Sequence, residues 1–255
     1  MKIKKQPTAP SKKVNEEEIR ELLEERVKEI GVLQLKLYAE GKRSLLIILQ
    51  GMDASGKDGA IKDVFADVNP MGSHVICFKK PTEIEYSYDF LWRIHQLVPP
   101  MGMIHIFNRS HYEDILIPGV EGFIPKQVIA KRYHQINDFE KMLQENGTVV
   151  LKFMLHVSQK EQKERLTERL NNPEKFWKHK DADWDTMKKW DQYMKVYDSI
   201  FEKCNDVPWH IIPSDKNWYK EYLIADVVVN ALKKINPKYP QLITKLKSNG
   251  KPAKS

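Results

Sequence analysis

The sequence predicts an α/β chain, with a central parallel sheet of about five strands and helices on both faces. Three observations predict it. Five apolar runs, near 44–50, 74–78, 103–107, 148–155 and 209–212, are short and largely continuous, as expected for strands covered on both faces. Stretches with helical spacing lie between them, near 58–68, 85–97, 125–145, 158–170, 186–203 and 217–234, and strands that alternate with helices pair in parallel. The first run ends in a glycine-rich turn that leads directly into a helical stretch.

Ahead of the first strand, Asn15 followed by Glu18 reads as a capping box, and Ile19, Leu22, Leu23, Val27, Ile30, Leu33 and Leu37 recur at helical spacing until Gly41. No repeat or low-complexity block interrupts the body, so one domain over 14–234 is the simplest account, with basic tails at 1–13 and 235–255. The net charge of +7 comes from those tails. Residues 1–13 carry five lysines and 231–255 carry seven, neither with an acid, which leaves 30 basic and 35 acidic residues over 14–230. Such tails read as solvated and disordered, and a nucleic-acid role is the weaker reading. The longest apolar run, residues 45–49, is far short of the roughly 20 residues that span a bilayer, so no membrane role is expected. Cys77 and Cys204 lack metal-ligand spacing and read as reduced buried thiols of a cytoplasmic protein.

The turn after the first strand is Gly51-Met-Asp53-Ala-Ser-Gly56-Lys57-Asp58, the spacing of a Walker A loop with Asp58 where Ser or Thr is usual. Glycines let the backbone wrap a phosphate, the helix N-terminus adds partial positive charge, and Lys57 adds a full one. Asp53 and Asp58 would repel phosphate unless a divalent cation lay between, which makes both candidate metal ligands; Asp53 reads alternatively as a loop cap. After the third strand stands Asn108-Arg109-Ser-His111-Tyr-Glu113-Asp114, placed by the topology at the same crevice. Arg109 can hold phosphate through two N–H groups. His111 reads as a phosphoryl carrier or base, or as a hydrogen-bonded structural residue. Downstream, Arg165 and Arg169 share a helical face, and from Lys163 to Lys180 six basic residues meet three glutamates. That stretch is either a cationic flap over a polyanion or a solvated helix face.

Taken together, G-M-D-A-S-G-K-D-G, N-R-S-H-Y-E-D, the stretch from Lys131 to Leu143, L-K-F-x-L-H-V-S-Q-K-E-Q at 151–162, R-L-N-N-P-E-K-F-W-K at 169–178 and W-D-Q-Y at 190–193 resemble the polyphosphate kinase 2 family, over about residues 19–230. The resemblance implies a P-loop kinase-like three-layer sandwich with a helical lid near 165–190. It implies phosphoryl transfer between inorganic polyphosphate and purine nucleotides, with Mg²⁺, or Mn²⁺ in its place, on Asp53 and Asp58. Lys57 and Arg109 then serve the transfer, Asn108, His111 and Glu113 the nucleotide, and Arg165, Arg169, Lys175 and Lys178 the polyphosphate chain. Asn108 replaces the commoner aspartate and resembles the branch that accepts both AMP and ADP. A homo-oligomer, dimer or tetramer, is expected. The competing readings are an ATP-dependent nucleoside monophosphate kinase and a regulatory NTP-binding module with nucleic-acid-binding tails.

Overall fold

The computed structural model describes residues 2–242. In chain order the elements are α1 (Glu16–Glu40), β1 (Ser44–Gln50), α2 (Lys57–Val64), β2 (Ser73–Cys77), α3 (Glu83–Tyr86), α4 (Trp92–His95), β3 (Ile104–Asn108), α5 (Glu113–Glu121), α6 (Lys126–Glu145), β4 (Thr148–His156), α7 (Gln159–Asn171), α8 (Asp181–Lys188), α9 (Trp190–Lys203), β5 (Trp209–Pro213) and α10 (Asn217–Ile235). A 3₁₀ turn, Pro173–Lys178, joins α7 to α8.

The five strands form one parallel sheet in the order β2-β3-β1-β4-β5. Successive residues of a strand face opposite sides, and β1 divides its side chains accordingly. Leu46 and Ile48 join a core with Ile115 of α5, Ile136 and Phe139 of α6 and Tyr197 of α9. Leu45, Ile47 and Leu49 join a second core with Ile30 of α1, Ala60 of α2 and Val228 of α10. All seven residues of β1 are buried, which is why the run carries no alternation. The chain leaves β1 toward β2 and β3, then crosses to β4 on the far side. The crevice at this reversal lies beyond the carboxyl ends of β1 and β3, where Leu49 pairs with Asn108.

Several local expectations change. Asn15 caps α1 by accepting from the Glu17 amide at 3.0 Å, without the reciprocal bond of a capping box. The stretch 85–97 is two single turns, because the Asp89 carboxylate accepts from the Leu91 amide at 2.9 Å and turns the chain. The stretch 186–203 breaks at Lys189, between α8 and α9. Helix α5, absent from the expected helical stretches, carries Pro118 within it. Proline leaves the Asp114 carbonyl one turn earlier without its amide partner, and Arg132 Nη1 donates to that oxygen at 2.5 Å instead. Cys204 is buried as expected, but Cys77 is exposed on the edge strand.

Within residues 2–13, two points depart from a solvated tail. Ile3 is completely buried against the core beside α9, and its amide donates to Asp198 Oδ1 at 2.7 Å. Thr8 Oγ1 donates to Asp215 Oδ2 at 2.8 Å. One apolar side chain and a few backbone bonds suffice to seat a segment that composition alone marks as disordered. At the other end, residues 236–242 are irregular, and the rest of the expected basic tail, 243–255, lies outside the described residues. Among the described residues, no helix is long and apolar enough to cross a membrane.

Candidate active site

Strand β1 delivers the chain into a tight loop whose two flanking glycines are required by space and conformation. A Cβ at Gly51 would stand 2.7 Å from Ser55 Oγ and 2.8 Å from the Leu155 carbonyl, and Gly56 caps α2 with φ of 91°. Lys57, the first residue of α2, folds back over the loop: its Nζ donates to the Gly51 carbonyl at 2.8 Å and the Met52 carbonyl at 3.1 Å. Burial, assisted by the charge of Arg109 and opposed by nearby carboxylates, lowers its pKa to about 8.

The second loop starts where β3 ends. Arg109 has φ of 63°, a left-handed conformation that a non-glycine residue adopts only when its surroundings hold it there. Three contacts hold it. Its amide donates to the Leu49 carbonyl at 3.0 Å, its Nη1 to Glu113 Oε2 at 3.0 Å, and its Nη2 to Asp53 Oδ1. The charge of Glu113 and then that of Asp53 outweigh burial and raise its already high pKa, so the guanidinium is a permanent cation. Asn108 donates from Nδ2 to Asp58 Oδ1 at 2.7 Å. Gln50, at the end of β1, donates to Glu113 Oε1 at 2.9 Å and accepts from Ser110 Oγ at 3.0 Å.

Asp53, Lys57, Asp58, Asn108, Arg109 and Glu113 therefore converge. His111 does not join them. Its side chain is completely buried behind the loop, with Nε2 3.4 Å from Glu140 Oε1. It belongs to a core network in which Lys152 Nζ donates to Glu140 Oε2 at 2.7 Å, to Tyr112 Oη at 2.8 Å and to the Cys204 carbonyl at 3.0 Å. The left-handed turn at Arg109 sends the arginine into the crevice, and the residue two positions on turns inward.

The basic stretch also sorts itself. Arg165 faces the back of the first loop, with Nη1 donating to the Ala54 carbonyl at 3.0 Å and Nη2 to the Ser214 carbonyl at 2.8 Å. Arg169 Nη1 donates to Asp183 Oδ2 at 2.7 Å, and Lys175 Nζ to Glu168 Oε1 at 2.6 Å. Lys178 stands 4.9 Å from the Trp177 ring centroid and has no carboxylate partner among the described residues.

A cavity of about 210 Å³ opens between these parts, lined by Asp53, Arg109, Lys180, Asp183, Tyr193 and Tyr197 among others. Lys180, Asp183 and Tyr197 were missed by sequence reasoning. Lys180 and Asp183 stood within a charged run with nothing to single them out, and Tyr193 and Tyr197 follow the helical spacing of core residues on α9. Burial, and then the nearby Asp53, raise the pKa of the Asp183 carboxyl.

Among the described residues, no three His, Cys, Asp or Glu side chains converge as a metal cage. Asp53 and Asp58, two hard carboxylates on the first loop, nevertheless fit by donor type a divalent cation that takes the rest of its shell from phosphate and water.

Comparison with known proteins gives the family. The family model described as Polyphosphate kinase 2 matches residues 12–240. The AMP/ADP-polyphosphate phosphotransferase of Meiothermus ruber is 48% identical over 211 residues, which cover 82% of this chain and 79% of that protein. The ADP-polyphosphate phosphotransferase of Rhodopseudomonas palustris is 36% identical over 242 residues, 89% of this chain and 83% of that one. The crystal structure of polyphosphate kinase 2 from Arthrobacter aurescens TC1 superposes with a TM-score of 0.88 at 40% identity, covering 90% of this chain and 83% of its own. With a five-stranded parallel sheet in a P-loop kinase-like fold and a match over nearly the whole body, the chain belongs to the polyphosphate kinase 2 family.

Proposed function

We propose that this protein transfers the terminal phosphoryl group of inorganic polyphosphate to AMP and to ADP, reversibly and with Mg²⁺. The observation that carries the reading is the convergence of Lys57 and Arg109 with Asp53 and Asp58 at the carboxyl ends of two adjacent strands. Phosphoryl transfer asks a protein for position and counter-charge more than for covalent chemistry. Lys57 and the amides at the start of α2 hold the phosphoryl group in flight, and Arg109 bridges it from the neighbouring strand. Asp53 and Asp58 would hold Mg²⁺, with Mn²⁺ as a substitute, and the bound ion would neutralise phosphate charge. The acceptor phosphate is already ionised near neutral pH, so no general base is assigned, and the buried His111 has no part in the transfer. The segment 173–188, with Lys175, Lys178 and Lys180, forms the lid that receives the polymer and excludes water. Acceptance of both AMP and ADP is supported by Asn108, a neutral donor beside Asp58, and by the name of the Meiothermus ruber relative. The same reading makes the protein a cytoplasmic homo-oligomer, dimer or tetramer.

One assay tests the whole reading. Purified protein, AMP or ADP, long-chain polyphosphate and Mg²⁺ are combined without ATP, and nucleotides are separated by chromatography. Phosphorylated nucleotide should appear and should stop with EDTA. Product formed only when ATP is the donor would identify an ordinary nucleotide kinase, and nucleotide binding without turnover a regulatory module.

A further inference from the structure

Besides Arg109 in the second loop, the first loop holds a strained non-glycine residue of its own. Ala54 has φ of 60°, the left-handed region that a residue with a Cβ adopts only at a cost. It is neither glycine nor asparagine, and its own side chain makes no hydrogen bond that would repay that cost. Both peptide groups that flank it are gripped from outside the loop. Gln162 Nε2 donates to the Asp53 carbonyl at 3.1 Å, and Arg165 Nη1 to the Ala54 carbonyl at 3.0 Å. Both side chains come from the first two turns of α7. Because a peptide unit is planar and trans, fixing the Asp53 carbonyl outward also fixes the Ala54 N–H in the opposite direction, toward the interior of the loop.

Neither clamp is a loose surface contact. Gln162 is completely buried, and its other amide atom, Oε1, has no hydrogen-bond partner among the described residues. A buried glutamine that leaves one of its own atoms unsatisfied is an expensive way to fill space, so the bond it does make carries its function. Arg165 uses the rest of its fork on Glu161 Oε1 at 2.8 Å and on the Ser214 and Asp215 carbonyls at 2.8 and 3.3 Å, which anchors it to the end of β5. With the fork committed to three backbone carbonyls and a carboxylate, Arg165 has little left for a polymer substrate. Helix α7 continues into the 3₁₀ turn Pro173–Lys178, so the element that grips the loop also carries the lid.

We propose that Gln162 is a positioning residue for phosphoryl transfer: together with Arg165 it clamps the two peptide groups around Ala54, keeping the loop in its strained, phosphate-receiving shape. This inference rests on the reading of residues 51–58 as the phosphate loop. The residues themselves touch no reacting atom and act through the backbone of Asp53 and Ala54.

The test uses Gln162→Met, which keeps side-chain length and removes the donor, and Arg165→Lys, which keeps the charge and removes the fork. Two readouts are taken for each. Hydrogen exchange of the amides at 52–56 should accelerate at least tenfold while exchange in β1 and α10 is unchanged. In polyphosphate-driven phosphorylation kcat should fall at least tenfold, equally for AMP and ADP, with KM for polyphosphate within about threefold. Ala54→Gly supplies the readout that a merely structural role would not move. Glycine adopts positive φ without the Cβ penalty, so it should restore kcat about fivefold more in the Gln162→Met background than it changes kcat in the parent protein. Equal effects of Ala54→Gly in both backgrounds overturn the clamp. A rise confined to KM for polyphosphate in Arg165→Lys overturns it too, and makes Arg165 a ligand of the polymer. If the parent protein shows no polyphosphate-driven activity, the proposed function falls, and loop exchange alone then decides the clamp: unchanged exchange in Gln162→Met refutes it. If Gln162→Met does not fold, Arg165→Lys and its combination with Ala54→Gly give the same decision.

Discussion

Replacing Lys152 by methionine should be among the most damaging single changes outside the crevice, and the structure sets the size of the effect. Lys152 lies in β4 with no exposed side-chain surface, as does its partner Glu140. Its ammonium makes three hydrogen bonds, to Glu140 Oε2 at 2.7 Å, Tyr112 Oη at 2.8 Å and the Cys204 carbonyl at 3.0 Å, and Tyr112 Oη itself donates to Glu140 Oε1 at 2.7 Å. Methionine fills the stem but leaves the Glu140 carboxylate buried and short of its counter-charge. Breaking one side of such a pair costs about 3–5 kcal/mol, which for a chain of this size lowers Tm by roughly 10 °C. Lys152→Met together with Glu140→Gln removes both charges and should cost less than the sum of the single changes by about 2 kcal/mol. Burial alone would raise the Glu140 carboxyl, but the hydrogen bond from His111 and the charge of Lys152 hold it below its usual 4.5. A carboxyl depressed in the folded state stabilises above its unfolded pKa and loses that contribution as pH falls through the folded value. The parent protein should therefore lose stability below about pH 4.5 more steeply than Glu140→Gln does. Urea unfolding at pH 7 and pH 4 measures all three variants. A loss below about 1 kcal/mol for Lys152→Met, or strict additivity in the double variant, would refute the reasoning.

Three further outcomes follow from the site. Lys57 is charged below its pKa of about 8, so kcat/KM should decline as pH rises through that value, whereas kcat, measured with phosphate bound beside the ammonium, should decline at higher pH; coincident profiles would remove Lys57 from phosphate binding. Asn108→Asp replaces a donor 2.7 Å from Asp58 Oδ1 with a second carboxylate, and should lower kcat/KM for AMP more than for ADP, by about tenfold, because AMP must bring its only phosphate close to this loop; an unchanged AMP-to-ADP ratio would sink the acceptor role. Neutralising Lys175 and Lys178 together should raise KM for long polyphosphate more than KM for nucleotide and flatten its salt dependence; equal effects on both substrates would assign the segment to lid folding.

The first loop was legible in the sequence because its chemistry is contiguous: Gly51, Asp53, Gly56, Lys57 and Asp58 need only their neighbours and the strand before them to be placed. Asn108, Arg109 and Glu113 were legible for a related reason, since topology puts the end of β3 beside the end of β1. What the sequence hid was direction. His111 sits in the same seven-residue motif, yet the left-handed turn at Arg109 directs it into the core, and nothing in the residue types announces that turn. Arg165 and Arg169 share a helical face as expected, but charge counting could not say that one holds a loop carbonyl and the other Asp183. Helix α5 was hidden by Pro118, whose tolerance depends on Arg132 from the next helix. Lys152 was invisible as a buried cation, because its partner Glu140 comes from a different element and only the fold brings them together.

The pairings around the crevice also bear on why a polymer suits it. Asp53 is paired with Arg109, Asp58 with Asn108, Arg169 with Asp183 and Lys175 with Glu168. A phosphate that engages Arg109 or Lys175 must compete with a carboxylate already in place, so each exchange returns only the difference between two ionic contacts, and that difference is small where water reaches the pair. A single phosphate gains little from such a surface. A chain of phosphates makes many exchanges with one loss of translational freedom, and each bound unit holds the next near its own site. Displaced carboxylates are not wasted in this scheme. Under the proposed reading, Asp53 released from Arg109 would be available to hold the divalent cation. A donor of one phosphate would leave most of these pairs closed. The internal pairing of the crevice thus selects for a multivalent anion, in keeping with polyphosphate as the donor.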